Sequence, residues 1–201
     1  MGVRQLEYSS PVYFRYFNLA LIDMNRGMFL FLLVLLSSAW TLALWEEFVS
    51  HEGKFKLLTP GELTPKVNAI ETAIGQLKYH TFIHQPEDKQ ADNLVYMISY
   101  CDYPDHTVSS DSLDLVGEFF QTTIEGAVES VNGALRYATE IQYGQYPGRL
   151  WRIDYSEGAV IVKTKAYLVG QRYYAIQTIT LKGRSLNKSS DRFLDSFHLI
   201  D

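Results

Sequence analysis

The segment Leu94–Cys101 is uncharged and largely apolar on both of its alternating faces. Leu94, Tyr96, Ile98 and Tyr100 fall on one, and Val95, Met97, Ser99 and Cys101 on the other. Successive strand side chains point to opposite sides, so this pattern predicts a central strand covered on each. Two layers of cover must then come from elsewhere in the chain.

One cover is legible. In Asp111–Val131, the residues Leu113, Val116, Phe120, Ile124, Ala127 and Val131 recur at steps of three and four, the stripe of an amphipathic helix. Ser109, Ser110 and Ser112 offer N-caps, Asp111 and Asp114 suit the positive end of the helix dipole, and Asn132-Gly133 supplies a stop.

The rest reads as strands and turns. Glu47–Ser50 and Lys54–Leu58 flank a turn at His51–Gly53, closed by Thr59-Pro60-Gly61. Lys66–Ile74 and Leu77–His84 alternate around Gly75, and Gln85–Asp92 is a polar loop holding Pro86. After the helix, strands are expected at Ala134–Tyr143, Gly148–Tyr155, Ala159–Val169 and Arg172–Leu181. Their connections are short enough for antiparallel neighbours. Ser189–Leu199 returns to helical spacing, with Phe193, Leu194 and Phe197 on one side. An antiparallel α+β sandwich is the natural assembly.

The residues before this body read differently. Met28–Leu36 is an apolar run set after Arg26 and followed by the small-x-small pairs Ser37/Ala39 and Thr41/Ala43, the layout of an export signal. Residues 1–43 are therefore expected to be a leader, with Met1, Met24 or Met28 as its start. It is either a cleaved signal peptide or, if the run continues through Trp45, an uncleaved N-terminal membrane anchor. Arg4, Arg15 and Arg26 all precede the run, which favours a cytoplasmic N-terminus and an exported remainder. That remainder belongs to the periplasm or cell surface, anchored to the inner membrane if residues 28–45 stay uncleaved.

Residues 44–201 make one ordinary domain. Without the leader the net charge is one unit more negative than the whole chain's −5, an imbalance that argues against nucleic acid or anionic lipid as a main partner. Cys101 is the one cysteine, so no internal disulfide can form, and the core must hold by packing.

Leu57-Leu58-Thr59-Pro60-Gly61 at the end of the early strand pair, the mid-chain helix between two antiparallel blocks, and the closing Arg192-Phe-Leu-Asp-Ser-Phe-His-Leu199 together resemble the PsbP-like superfamily, in particular small exported bacterial members of unknown role. The resemblance covers residues 46–200. It implies an antiparallel sheet of six to seven strands with helices packed on both faces. The superfamily includes an extrinsic photosystem II subunit, a Ran-binding protein and mycobacterial envelope lipoproteins. Its members share no common reaction, and no site residue carries over.

Chemistry is sparse. Asp102, Asp105 and His106 form the densest constellation, two carboxylates and an imidazole that could ligate a metal or pair an acid with a base. Against that stands a strand end, a proline turn and an aspartate capping its own backbone. His80 and His84 lie four apart on a segment that alternates like a strand, where four residues span roughly 13 Å, too far for one ion. Cys101 ends a buried strand with no His partner pattern around it. Ser185-Leu-Asn-Lys188 matches Ser-x-x-Lys without its companion motifs. Asn187-Lys188-Ser189 is a glycosylation sequon whose asparagine serves equally as a helix cap. Lys163/Lys165 and Arg152/Asp154 share strand faces, as an anion site or as cross-strand pairs. The chain holds 14 tyrosines, enough for a binding surface or simply for filling strands.

No phosphate loop, nucleophile elbow or zinc signature is present in the sequence. The expectation is an exported, non-enzymatic binding or scaffolding domain without cofactor or metal, whose partner is a protein or envelope component. The alternatives are a small-molecule carrier with a cavity between sheet and helix, lined by Phe119, Phe120 and strand tyrosines, and an enzyme built on Asp102, Asp105 and His106.

Overall fold

The computed structural model describes residues 45–72 and 74–201; the expected leader at residues 1–43 lies outside them. Strands β1 (Glu46–Ser50) and β2 (Phe55–Thr59) form the first hairpin. The residue that takes the left-handed conformation in its turn is Lys54 (φ 53°), one place after Gly53. Strands β3 (Thr64–Thr72), β4 (Gly75–His84) and β5 (Val95–Asp102) follow, then helix α1 (Leu113–Ser130). A four-strand meander comes next: β6 (Ala134–Tyr143), β7 (Tyr146–Tyr155), β8 (Val160–Val169) and β9 (Arg172–Leu181). A 3₁₀ turn, helix α2 (Lys188–Asp195) and the short strand β10 (His198–Leu199) end the chain.

Seven strands make one antiparallel sheet in the order β3-β4-β5-β9-β8-β7-β6, and three make a smaller one, β1-β2-β10. The seven-stranded antiparallel sheet and the α+β class agree with the sequence reading; the second sheet was not foreseen. Its third strand corrects the expected helix at Ser189–Leu199, which stops at Asp195. The edge of β2 competes for the last residues. His198 and Leu199 pair with Lys56 and Phe55, and the Ser196 hydroxyl accepts from the Leu58 N–H at 2.9 Å. Asn187 does cap α2, its side chain accepting from the Ser190 N–H at 2.7 Å.

Helix α1 forms where its stripe predicts and stops through a Schellman pattern. The Gly133 N–H reaches back to the Val128 carbonyl (2.9 Å), with Asn132 left-handed at φ 48°. Its start differs from expectation, because no serine hydroxyl caps it. The Ser112 carbonyl instead takes the Leu115 and Val116 N–H groups. Ser110 is diverted to the Gly170 N–H of the β8–β9 turn.

Two apolar clusters occupy opposite faces of the large sheet, as the consecutive residues Tyr173 and Tyr174 show by entering one each. The first cluster joins Val116, Phe120 and Ile124 of α1 to Trp151, Ile153 and Leu168. The second joins Phe55 and Leu57 of β2 and Phe193, Leu194 and Phe197 to Tyr96, Ile98, Tyr100 and Ile176. Strand β5 is central, as its pattern required. Helix α1, however, lies over β7 rather than over β5, and leaves Val95 and Met97 half-exposed. That offset opens the groove described below.

Candidate functional site

Asp102 ends β5 directly opposite Arg172 of β9, and that register decides its role. The guanidinium grips the carboxylate with two bonds, Nε to Oδ1 at 2.5 Å and Nη2 to Oδ2 at 2.7 Å, while Nη1 donates to the Glu52 carbonyl at 2.9 Å. Asp105 and His106 sit exposed in the turn that follows, His106 at φ 67°. Neither has a hydrogen bond or ion pair to Asp102 among the described residues. No group of three or more His, Cys, Asp or Glu side chains among those residues could hold a metal. The three residues adjacent in sequence are thus not brought together as one site.

What gathers near Asp102 instead is a cluster drawn from four distant segments. The Tyr100 ring stacks on His80 (centroids 4.6 Å apart, planes at 8°) and carries the Arg172 guanidinium 4.8 Å from its centroid. His80 Nδ1 lies 3.9 Å from the Glu52 carboxylate, and the Tyr174 hydroxyl donates to the Gly53 carbonyl at 2.7 Å. These contacts fasten the β1–β2 turn to the end of the large sheet. The Tyr100 hydroxyl is buried with no hydrogen-bond partner among the described residues. Burial, helped by the nearby Glu52 charge, pushes its pKa up to about 12. It stays protonated and cannot serve as a base near neutrality.

An unmet buried hydroxyl costs about 1–3 kcal/mol of desolvation. Tyr100→Phe is therefore expected to leave the fold intact and raise stability by about 1 kcal/mol, read from urea midpoints. A loss of that size would mean that the hydroxyl bonds Glu52 in solution.

The other sequence candidates resolve singly. Cys101 is fully buried and its thiol is pushed up to about 11, mainly by burial, so it is not a nucleophile at neutral pH. His80 and His84 stand on a true strand, and His84 is engaged by the Glu62 carbonyl at 3.1 Å. The Asn187 amide nitrogen, the atom a glycan would occupy, donates to the Arg184 carbonyl at 2.7 Å, while its amide oxygen caps α2. Five tyrosines (Tyr96, Tyr100, Tyr167, Tyr173 and Tyr174) are core residues.

Two others, Tyr79 and Tyr103, are not. Together with Val108 and with Leu115, Phe119, Thr122, Thr123 and Gly126 of α1 they line a half-open groove of about 580 Å³ between helix and sheet. Their hydroxyls meet at 3.3 Å, and Tyr103 stands edge-on to Phe119 with centroids 5.2 Å apart. Burial raises the pKa of both phenols. The walls are aromatic and the rim carries Glu118 and threonine hydroxyls, the mix that ligand grooves present, and the volume lies in the usual range of about 300–1,000 Å³. Phe119 lines it as expected, whereas Phe120 is fully buried in the core and does not.

The Arg152/Asp154 pair gains a cross-strand partner from β6. The Asp154 carboxylate is only 7% exposed and is held by two arginines, Arg152 and Arg136. Hydrogen bonds from Arg152, seconded by Arg136, keep its carboxyl below the usual range. A depressed carboxyl contributes stability that is present above the ordinary value of about 3.9 and is lost as pH falls through the lower folded value. The stability gap between the parent chain and Asp154→Asn, followed by urea unfolding, should accordingly be widest near neutrality. It should close on acidification below about pH 4; a constant gap would assign the effect to shape rather than charge.

No protein-family model matches the chain, and no curated protein matches it. Among solved structures the chain is similar to the solution structure of cyanobacterial PsbP (CyanoP) from Synechocystis sp. PCC 6803. The two are 10% identical, the match covers 81% of this chain and 96% of that one, and the TM-score is 0.47.

Proposed function

We propose that residues 44–201 act as an exported, non-enzymatic binding or scaffolding domain of the bacterial cell envelope. Helix α1 packs on one apolar cluster of the large sheet, and α2 with the small sheet packs on the other. The observation that carries the reading is the aromatic groove between α1 and β4, lined by Tyr79, Tyr103 and Phe119. Export rests on Met28–Leu36, Arg26 and the small residues that follow. Among the described residues no helix is long and apolar enough to cross a membrane.

A photo-crosslinking residue at Thr122, in the groove, tests this in intact envelopes. One discrete adduct is expected, and none from the same probe at Leu186, which is 95% exposed and does not line the groove. Equal labelling at both positions, or none at either, would overturn the reading. The second reading, a small-molecule carrier, is favoured by the same volume. It predicts a retained mass on the chain purified from its own envelope under native conditions. Both Asp102 carboxylate oxygens are occupied by Arg172, which disfavours a general acid or base there.

A further inference from the structure

We propose that Arg136, Arg152 and Lys163 form a binding site for a tetrahedral dianion of the phosphate-monoester class, organised by the buried carboxylate of Asp154. Trp151, Ile153 and Val162 belong to the core under α1, so Arg152, Asp154 and Lys163, alternating with them, stand on the other face of the sheet. There Asp154 accepts from Arg136 Nε at 2.9 Å and from Arg152 Nε and Nη2 at 2.6 and 3.1 Å. One carboxylate thus orients two guanidinium planes. Arg136 reaches it because β6 shifts register between Leu135 and Tyr137, a bulge of the kind that re-aims a side chain.

The donors left over define the ligand. Among the described residues, neither Nη group of Arg136, nor Nη1 of Arg152, nor the Lys163 ammonium has an acceptor. Lys163 is the register partner of Arg152, a like-charge pair directly opposite, which costs a sheet stability unless something else neutralises it. Lys165, one pleat further on the same face, has a carboxylate of its own in Asp195. Three cations against one carboxylate leave a local charge of +2 in a chain whose net charge is −5. A doubly charged tetrahedral anion balances that surplus, and its oxygens match two forked guanidiniums and an ammonium.

Isothermal titration of inorganic phosphate into the full chain at low ionic strength tests the site. Saturable binding is expected, weakened about tenfold by Arg136→Gln and by Lys163→Gln singly, the effect of losing one charge-assisted contact of about 1.4 kcal/mol. Lys165→Gln should bind as the parent does. No saturable binding by the parent, or an equal loss with Lys165→Gln, overturns the proposal. Flotation with phosphatidic acid vesicles, abolished by Lys163→Gln, would assign a lipid headgroup as the source. Competition by glycerol 3-phosphate without flotation would assign a soluble ester.

Discussion

Phe55→Ala is expected to destabilise the domain by about 3–5 kcal/mol, the range for removing a fully buried aromatic ring. Phe55 has no exposed surface, and its ring lies about 6 Å, centroid to centroid, from those of Phe48, Phe82, Tyr100, Tyr174 and Phe197. Those five come from β1, β4, β5, β9 and the segment after α2, so one side chain joins the small sheet to three strands of the large one. Its backbone pairs on both sides as well, with Ser50 of β1 and Leu199 of β10. A cavity here has rigid rings on every side and little means of collapsing, which places the cost high in the range. Equilibrium unfolding in urea gives the number, and Phe55→Leu should recover most of it. A cost below about 1 kcal/mol would mean that the small sheet is only loosely docked.

The parts of this fold that were legible in the sequence are those fixed by local pattern. The stripe Val116-Phe120-Ile124 located α1, the two-faced Tyr96-Ile98-Tyr100 pattern located a central strand, and Asn187 declared its cap. The parts that were not legible depend on partners far along the chain. Asp102 looked like a ligand beside Asp105 and His106 because the sequence does not print the register that sets it against Arg172. Asp154 showed only its strand-face partner Arg152, because its second arginine arrives through a bulge in β6. His198 and Leu199 carry helical spacing, yet the open edge of β2 offers them backbone hydrogen bonds that a fraying helix end cannot match. The groove was anticipated as a cavity lined by Phe119 and Phe120. One ring turned outward and its neighbour inward, a choice set by where α1 lies across β7, which no periodicity encodes.

Gly148→Ala is expected to be the most damaging single-methyl addition in the large sheet, while Gly117→Ala should stabilise. A Cβ on Gly148 would stand 2.4 Å from the Ala166 carbonyl oxygen and 2.6 Å from the Tyr167 ring. The oxygen belongs to the β7–β8 ladder, in which Gly148 faces Tyr167, so it cannot retreat without breaking strand pairing. The ring cannot swing away easily either, being 7% exposed and stacked on Phe197 with centroids 5.7 Å apart. Overpacking of this kind costs about 1–3 kcal/mol and more where backbone must move. Replacing glycine returns only about 0.5–1 kcal/mol of chain entropy. At Gly117, exposed in α1, an added Cβ meets nothing within 4 Å, and helix propensity alone favours alanine by about 1 kcal/mol. The two variants should therefore move the thermal midpoint in opposite directions. If both lowered it, the loss at Gly148 could no longer be assigned to the close approach of β8.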